Sequence, residues 1–144
     1  MRSIISKEKV IQQFEDHLKI EFHQVHRKRI LLQGKLKDCS TVVLFTPESK
    51  LYRYGYWRTD LTTAQVSVLE NADLAILAFR LEGNRVYYVD FNILKPYLTK
   101  DAVIYQKYRD RTFWKLHIWP DHVLVLGNKN PLPYPTISTE SGDY

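Results

Sequence analysis

The apolar positions of the chain follow two spacings. Val10, Ile11, Phe14 and Leu18 recur at helical spacing after Ser6, and serine is a favoured residue at a helix start. An amphipathic helix is therefore expected over residues 6–19. Ile20, Phe22 and Val25, then Ile30, Leu31 and Leu32, suggest two strands within 20–37, with His26, Arg27, Lys28 and Arg29 between or within them. Thr41–Phe45 is short, apolar and β-branched at its start, and Leu51–Arg58 alternates aromatics with other residues. Thr46-Pro47-Glu48-Ser49 reads as the turn between them, because proline pre-sets the second position of a turn. These two segments are expected to pair as a hairpin.

Thr62 or Thr63 can cap a second helix that carries Val66 and Leu69 and reaches Asn71. Leu74–Leu81 and Arg85–Phe91 read as antiparallel strands about the Glu82-Gly83-Asn84 turn. Asn92 is placed as the cap of a helix bearing Leu94, Tyr97 and Leu98, with Pro96 in its first turn, where a missing N–H costs little. Residues 102–110 extend that helix or form a loop. Phe113–Trp119 and His122–Leu126 supply two last strands around Pro120-Asp121. Hairpins dominate this order. The expected fold is a single α+β domain with a mixed, mostly antiparallel sheet and flanking helices.

Composition narrows the class. The chain has 144 residues, 44% of them hydrophobic and 26% charged, which is enough for one domain with a core and excludes wholesale disorder. The composition changes near residue 128, so a folded body over 1–128 and an extended, flexible tail over 129–144 are expected. One cysteine, Cys39, excludes an intramolecular disulfide framework. No run of 18 apolar residues occurs, and MRSIISKEKV lacks a signal-peptide core, so a soluble cytoplasmic protein without membrane association is expected.

Charge adds a direction. The formal net charge is +5, and it is concentrated. Residues 19–37 hold Lys19, Arg27, Lys28, Arg29, Lys35 and Lys37 against Glu21 alone. Residues 100–115 hold Lys100, Lys107, Arg109, Arg111 and Lys115 against Asp101 and Asp110. On one face these segments would form a phosphate-binding strip, with Arg27, Lys28, Arg29, Lys35, Lys37, Arg109 and Arg111 as the contacts; scattered, they are a solvated basic surface. The partner expected from this is nucleic acid, DNA first.

One stretch carries a resemblance. Glu70–Phe79, a short turn, Val86-Tyr87-Tyr88-Val89 and Asn92–Leu98 resemble the later half of small homing and restriction nucleases of the PD-(D/E)xK, restriction-endonuclease-like superfamily. That resemblance implies an acid and an E/Q-x-K triple on adjacent strands, with two carboxylates holding Mg²⁺ and a lysine activating water. Asp38 with Glu48-Ser49-Lys50 has the letters. In the expected hairpin, however, Glu48 sits in the turn, roughly 20 Å along the strand from Asp38 at ~3.3 Å per residue. Tyr56-Trp57-Arg58 then occupies the motif's place, with a tyrosine for the carboxylate. Gln33-Gly34-Lys35 is another Q-x-K, with too little chain before it. Glu15, Asp38 and Arg58 are the expected catalytic candidates, and Glu15 and Asp38 the Mg²⁺ ligands. A metal-dependent endonuclease, or a relative that kept the fold and lost the metal site, follows from the resemblance.

Other patterns stay open. His23 and His26 are three apart, which on a strand points them to opposite faces. His117 and His122 flank a turn and can meet. On strand 51–58, Tyr52, Tyr54 and Tyr56 share a face that either stacks on bases or packs against a helix or second subunit. The competing reading is a non-enzymatic interaction module, a homo- or hetero-oligomer built on that aromatic face.

Overall fold

The computed structural model describes residues 3–133 and 138–139. Helix α1 (Lys7–Leu18) begins where the pattern places it: Ser6 is extended and its hydroxyl accepts the Lys9 N–H at 3.2 Å. Lys19 closes it in the left-handed region at φ 60°, its N–H donating to the Glu15 carbonyl at 2.8 Å. Helix α2 (Thr63–Glu70) starts on a reciprocal cap between Thr62 and Gln65, so both side chains satisfy backbone donors that a helix start leaves orphaned.

The strands are β1 (His23–Val25), β2 (Lys28–Lys35), β3 (Thr41–Phe45), β4 (Glu48–Leu51), β5 (Trp57–Thr62), β6 (Leu74–Leu81) and β7 (Arg85–Asp90). They continue with β8 (Ile104–Gln106), β9 (Arg111–Trp119), β10 (His122–Val125), β11 (Leu132–Pro133) and β12 (Ser138–Thr139). One mixed sheet runs β1-β2-β3-β6-β4-β5-β9-β10-β11, with β7 on the far side of β6, β12 beside β7 and β8 beside β9. The chain is a single α+β domain. Among the described residues no helix is long and apolar enough to cross a membrane.

The hairpin expected between 41–45 and 51–58 does not form. Strand β3 pairs antiparallel with β2 and parallel with β6, so both its edges are taken by central partners. Its apolar run is that of a buried strand and not of a hairpin arm. Thr46 and Pro47 are a step in an extended chain, after which β4 resumes along the same edge of β6, Glu48 opposite Arg80 and Ser49 opposite Leu81. Proline has no N–H to give to a ladder, and the buried Arg80 side chain bridges the step. Its Nε and Nη2 donate to the Thr46 carbonyl at 3.0 and 2.9 Å, and Nη1 donates to the Ile5 carbonyl at 3.3 Å. The hairpin that does form joins β4 to β5. Tyr52 and Tyr56 close it, and Gly55 at φ 90° supplies the left-handed residue that such a short loop requires.

Strand β4 divides the sheet into two halves. The first half (β1, β2, β3, β6, β7) is covered on both faces at its central strands β3, β6 and β7. Leu32, Val42, Leu44, Ile76, Ala78, Val86 and Tyr88 pack with Val10 and Phe14 of α1. Leu31, Val43, Phe45, Leu77, Phe79 and Val89 share a second core with Trp57, Leu61, Leu116, Ile118, Val123 and Val125 of the second half. The second half (β5, β8, β9, β10, β11) buries that face only. Residues 57, 59 and 61 of β5 and 114, 116 and 118 of β9 are buried; of their alternates Phe113 is buried as well, and residues 58, 60 and 62 and 111, 115, 117 and 119 are half-exposed.

Three smaller differences have local causes. The short helix α3 (Phe91–Leu94) is capped by Asp90, not Asn92, because starting at Phe91 buries that ring; Asp90 Oδ1 accepts the Asn92 N–H at 2.9 Å. Pro96 lies in the 3₁₀ turn Lys95–Tyr97 that follows. Residues 104–110 are a strand and a 3₁₀ turn leading into β9. Within the segment expected as a tail, Leu132 is buried and pairs with Val123.

Candidate functional site

The open face of the second half gathers the chemistry. Strand alternation sends Arg111, Phe113, Lys115, His117 and Trp119 of β9 to the side opposite the core, with Arg58, Asp60 and Thr62 of β5 beside them. Register sets Arg58 against His117 and Asp60 against Lys115. The Tyr52 and Tyr56 rings stack at 5.6 Å, and Tyr56 stacks on His117 at 4.1 Å. Trp119 lies 5.2 Å from Tyr56 and stacks on His122 at 5.7 Å. A column of rings thus runs from the β4–β5 loop across β9 to β10.

Beside the column lies a groove of about 540 Å³ lined by Glu48, Lys50, Tyr52, Arg58, Asp60 and Arg111. Asp60 sits between the two arginines: its Oδ2 accepts from Arg111 Nη2 at 2.9 Å, and its Oδ1 is 3.6 Å from Arg58 Nε. Asp60 Oδ1 and Arg111 Nε are buried and have no hydrogen-bond partner among the described residues. The Arg111 guanidinium also lies over the Phe113 ring at 4.2 Å, which fixes its plane. Burial, then the charges of Arg58 and Lys115, holds the His117 imidazole below its ordinary value. It is therefore neutral at pH 7 and serves the column as a flat ring, not as a cation.

The expected site residues are distributed over several places. Arg58 and Arg111 meet in the groove through Asp60. Arg27 lies in the β1–β2 turn in the left-handed region at φ 61°, Lys28 and Arg29 open β2, and Ile30 directly after them lines the same groove. Lys35 and Lys37 lie at the other end of β2, ~23 Å from Lys28 at ~3.3 Å per residue. Arg109 sits on the exposed 3₁₀ turn before β9, its guanidinium 5.9 Å from the Tyr108 ring.

Glu15 and Asp38 each hold a local connection. Glu15 accepts the Phe22 N–H at 2.9 Å and so ties α1 to the start of β1. Asp38 accepts the Ser40 N–H at 2.9 Å in the β2–β3 turn, and the hydrogen bonds from Ser40 hold its carboxyl below the usual range. Arg58 lies opposite Lys50 of β4 and His117 of β9, not across from Asp38. Among the described residues, no three of His, Cys, Asp and Glu gather closely enough to hold a metal ion.

Sequence reasoning passed over Lys50, Asp60, His117 and Trp119 as a group. A signal was present: in Arg111–Trp119 the odd positions are cationic or aromatic and three of the four even positions are apolar. Tyr54 leaves the tyrosine row, because Tyr52 and Tyr56 face each other across a loop while Tyr54 turns to Arg53, its hydroxyl accepting from that guanidinium at 2.9 Å. Comparison of the chain with protein-family models, with curated proteins and with solved structures finds no match in any of the three.

Proposed function

We propose that this protein binds nucleic acid through the open face of its second half-sheet. The observation that carries this reading is the meeting of Lys50, Arg58 and Arg111 in one groove with the Tyr52–Tyr56–His117 column beside it. Cations attract phosphates, and flat rings offer stacking surface to bases. Asp60 holds Arg58 and Arg111 in place and lowers the repulsion between them. Arg27, Lys28 and Arg29, which precede the groove residue Ile30 in the chain, add positive charge outside the groove.

The test is a titration of labelled oligonucleotides, single-stranded and duplex, between about 50 and about 200 mM salt. Affinity is expected to fall steeply as salt rises, and Arg58→Ala to reduce the slope by ~1. Affinity that stays flat with salt sinks the reading.

Self-association is the second reading. It is favoured by Tyr54 and Tyr108, exposed at 65% and 81%. Light scattering that returns a monomer at high protein concentration removes it.

A further inference from the structure

Tyr52 is the outermost ring of the column, and it stands between two hollows. On one side it lines the groove with Lys50 and Arg58, which lie opposite each other in the β4–β5 register. On the other it lines a second hollow of about 530 Å³ with Leu51, Arg53, Gly55 and Glu82. Tyr56 takes one face of the Tyr52 ring, stacked at 5.6 Å with 16° between the planes, and itself stacks on His117. Tyr52 stays 41% exposed. The column therefore fixes the plane of a ring that solvent reaches.

The acids that line the two hollows are engaged. Asp60 is held between Arg58 and Arg111, Glu48 faces Arg80 at 3.7 Å, and Glu82 Oε1 accepts the Leu51 N–H at 2.8 Å. Two cations are not engaged with an acid. Among the described residues Lys50 and Arg53 are in no ion pair, and the Arg53 guanidinium donates to the Tyr54 hydroxyl at 2.9 Å. A chain that crosses Tyr52 thus meets a cation, a flat ring and a second cation. That order suits a nucleic-acid strand, in which a phosphate lies on either side of each base. A base reaches the ring only when it has left its own stack; a duplex offers phosphates but keeps its base faces covered.

We infer that a single-stranded nucleic acid crosses the β4–β5 loop: one unpaired base stacks on Tyr52, with flanking phosphates on Lys50 and Arg58 on one side and on Arg53 on the other. This rests on the nucleic-acid reading and deepens it in two ways. It selects unpaired strands over duplexes, and it adds Arg53, which lies outside the groove. Phosphates and base faces are common to DNA and RNA, so the loop selects strandedness and not sugar.

The experiment uses the full chain and one oligonucleotide sequence in four forms: single-stranded DNA, single-stranded RNA, duplex DNA, and a DNA strand with abasic sites in place of its bases. The intact single strands are expected to bind about tenfold tighter than the duplex or the abasic strand, and the two sugars show which polymer supplies the strand. Tyr52→Ala, a change at an exposed loop position, is expected to weaken single-strand binding about tenfold and to leave the abasic strand unaffected, and Tyr52→Phe to preserve both. Arg53→Ala is expected to lower the salt slope of single-strand binding by about 0.7, the value for one phosphate. Duplex or abasic DNA binding as tightly as the better single strand overturns the inference and leaves the nucleic-acid reading standing. So does an undiminished single-strand affinity in folded Tyr52→Ala, or an unchanged slope in Arg53→Ala. No binding of any form at low salt overturns both.

Discussion

The two halves of the sheet solve the same burial problem differently. In β6, Ala75 through Leu81 are all buried, because α1 covers one face and the second half-sheet covers the other. In β9, Trp114, Leu116 and Ile118 are buried while Lys115, His117 and Trp119 between them are half-exposed. A strand buried twice has no position left for a ligand. A strand buried once presents every second residue to solvent on a rigid frame, and that is where the rings and cations of this protein collect. Strand β4 makes the division, since it pairs with β6 in the first half and β5 in the second.

The comparison can be broken most directly by truncating one aromatic from each half. Phe14 is fully buried on the inner face of α1, its ring packed edge-on against Tyr88 of the first half at 5.5 Å. Phe14→Ala is expected to lower unfolding stability by about 3–5 kcal/mol, read from a urea midpoint. Trp119→Ala, on the open face, is expected to lower it by about 1 kcal/mol or less. Equal losses would mean that the second half is not open on that side.

The step between the halves should give the next largest effect. Arg80→Leu removes every donor that reaches the Thr46 carbonyl from that side chain, and the one that reaches Ile5. Buried carbonyls left unpaired are expected to reduce stability by about 2–4 kcal/mol. A loss below about 1 kcal/mol would show that water replaces the guanidinium there.

The smallest effect concerns His117 and sharpens the picture of the open face. Its folded value is held below the ordinary 6.5, by burial first and then by Arg58 and Lys115. As pH falls through 6.5, the unfolded chain takes up the proton before the folded one. Stability is thus present above the ordinary value and declines below it, until His117 protonates in the folded state. Denaturation curves between neutral pH and about pH 5 should show this decline, and His117→Gln should flatten it. An unchanged slope in the variant would assign the decline to other groups.

Much of the fold was legible along the chain. The Ser6 cap with Val10 and Phe14 specified α1, Thr62 specified the start of α2, and the Glu82-Gly83-Asn84 turn specified the β6–β7 hairpin, because each signal lies within a few residues of what it determines. The β3–β5 hairpin was misread for the opposite reason. Pro47 is compatible both with a tight turn and with a break in an extended strand. The choice between them belongs to Leu74–Leu77, which pair with β3, and to Arg80, which bridges the break, some thirty residues away. Glu15 and Asp38 have the right chemistry for a metal, but each carboxylate binds a nearby backbone N–H, a local use that spacing does not reveal.

By itself the sequence determined the class of the protein: one α+β domain, its helix starts, most of its strands and the positions of its positive charge. Those follow from periodicity, capping and composition, which act over one or two turns of chain. Only the tertiary structure decided which face of which strand stays open and which charges meet. Arg58 and Arg111 are fifty-three residues apart in the chain and share one carboxylate because β5 and β9 happen to be neighbours. Strand pairing between distant segments is set by the summed burial of whole faces. For that reason the groove and the ring column became visible only once the sheet was assembled.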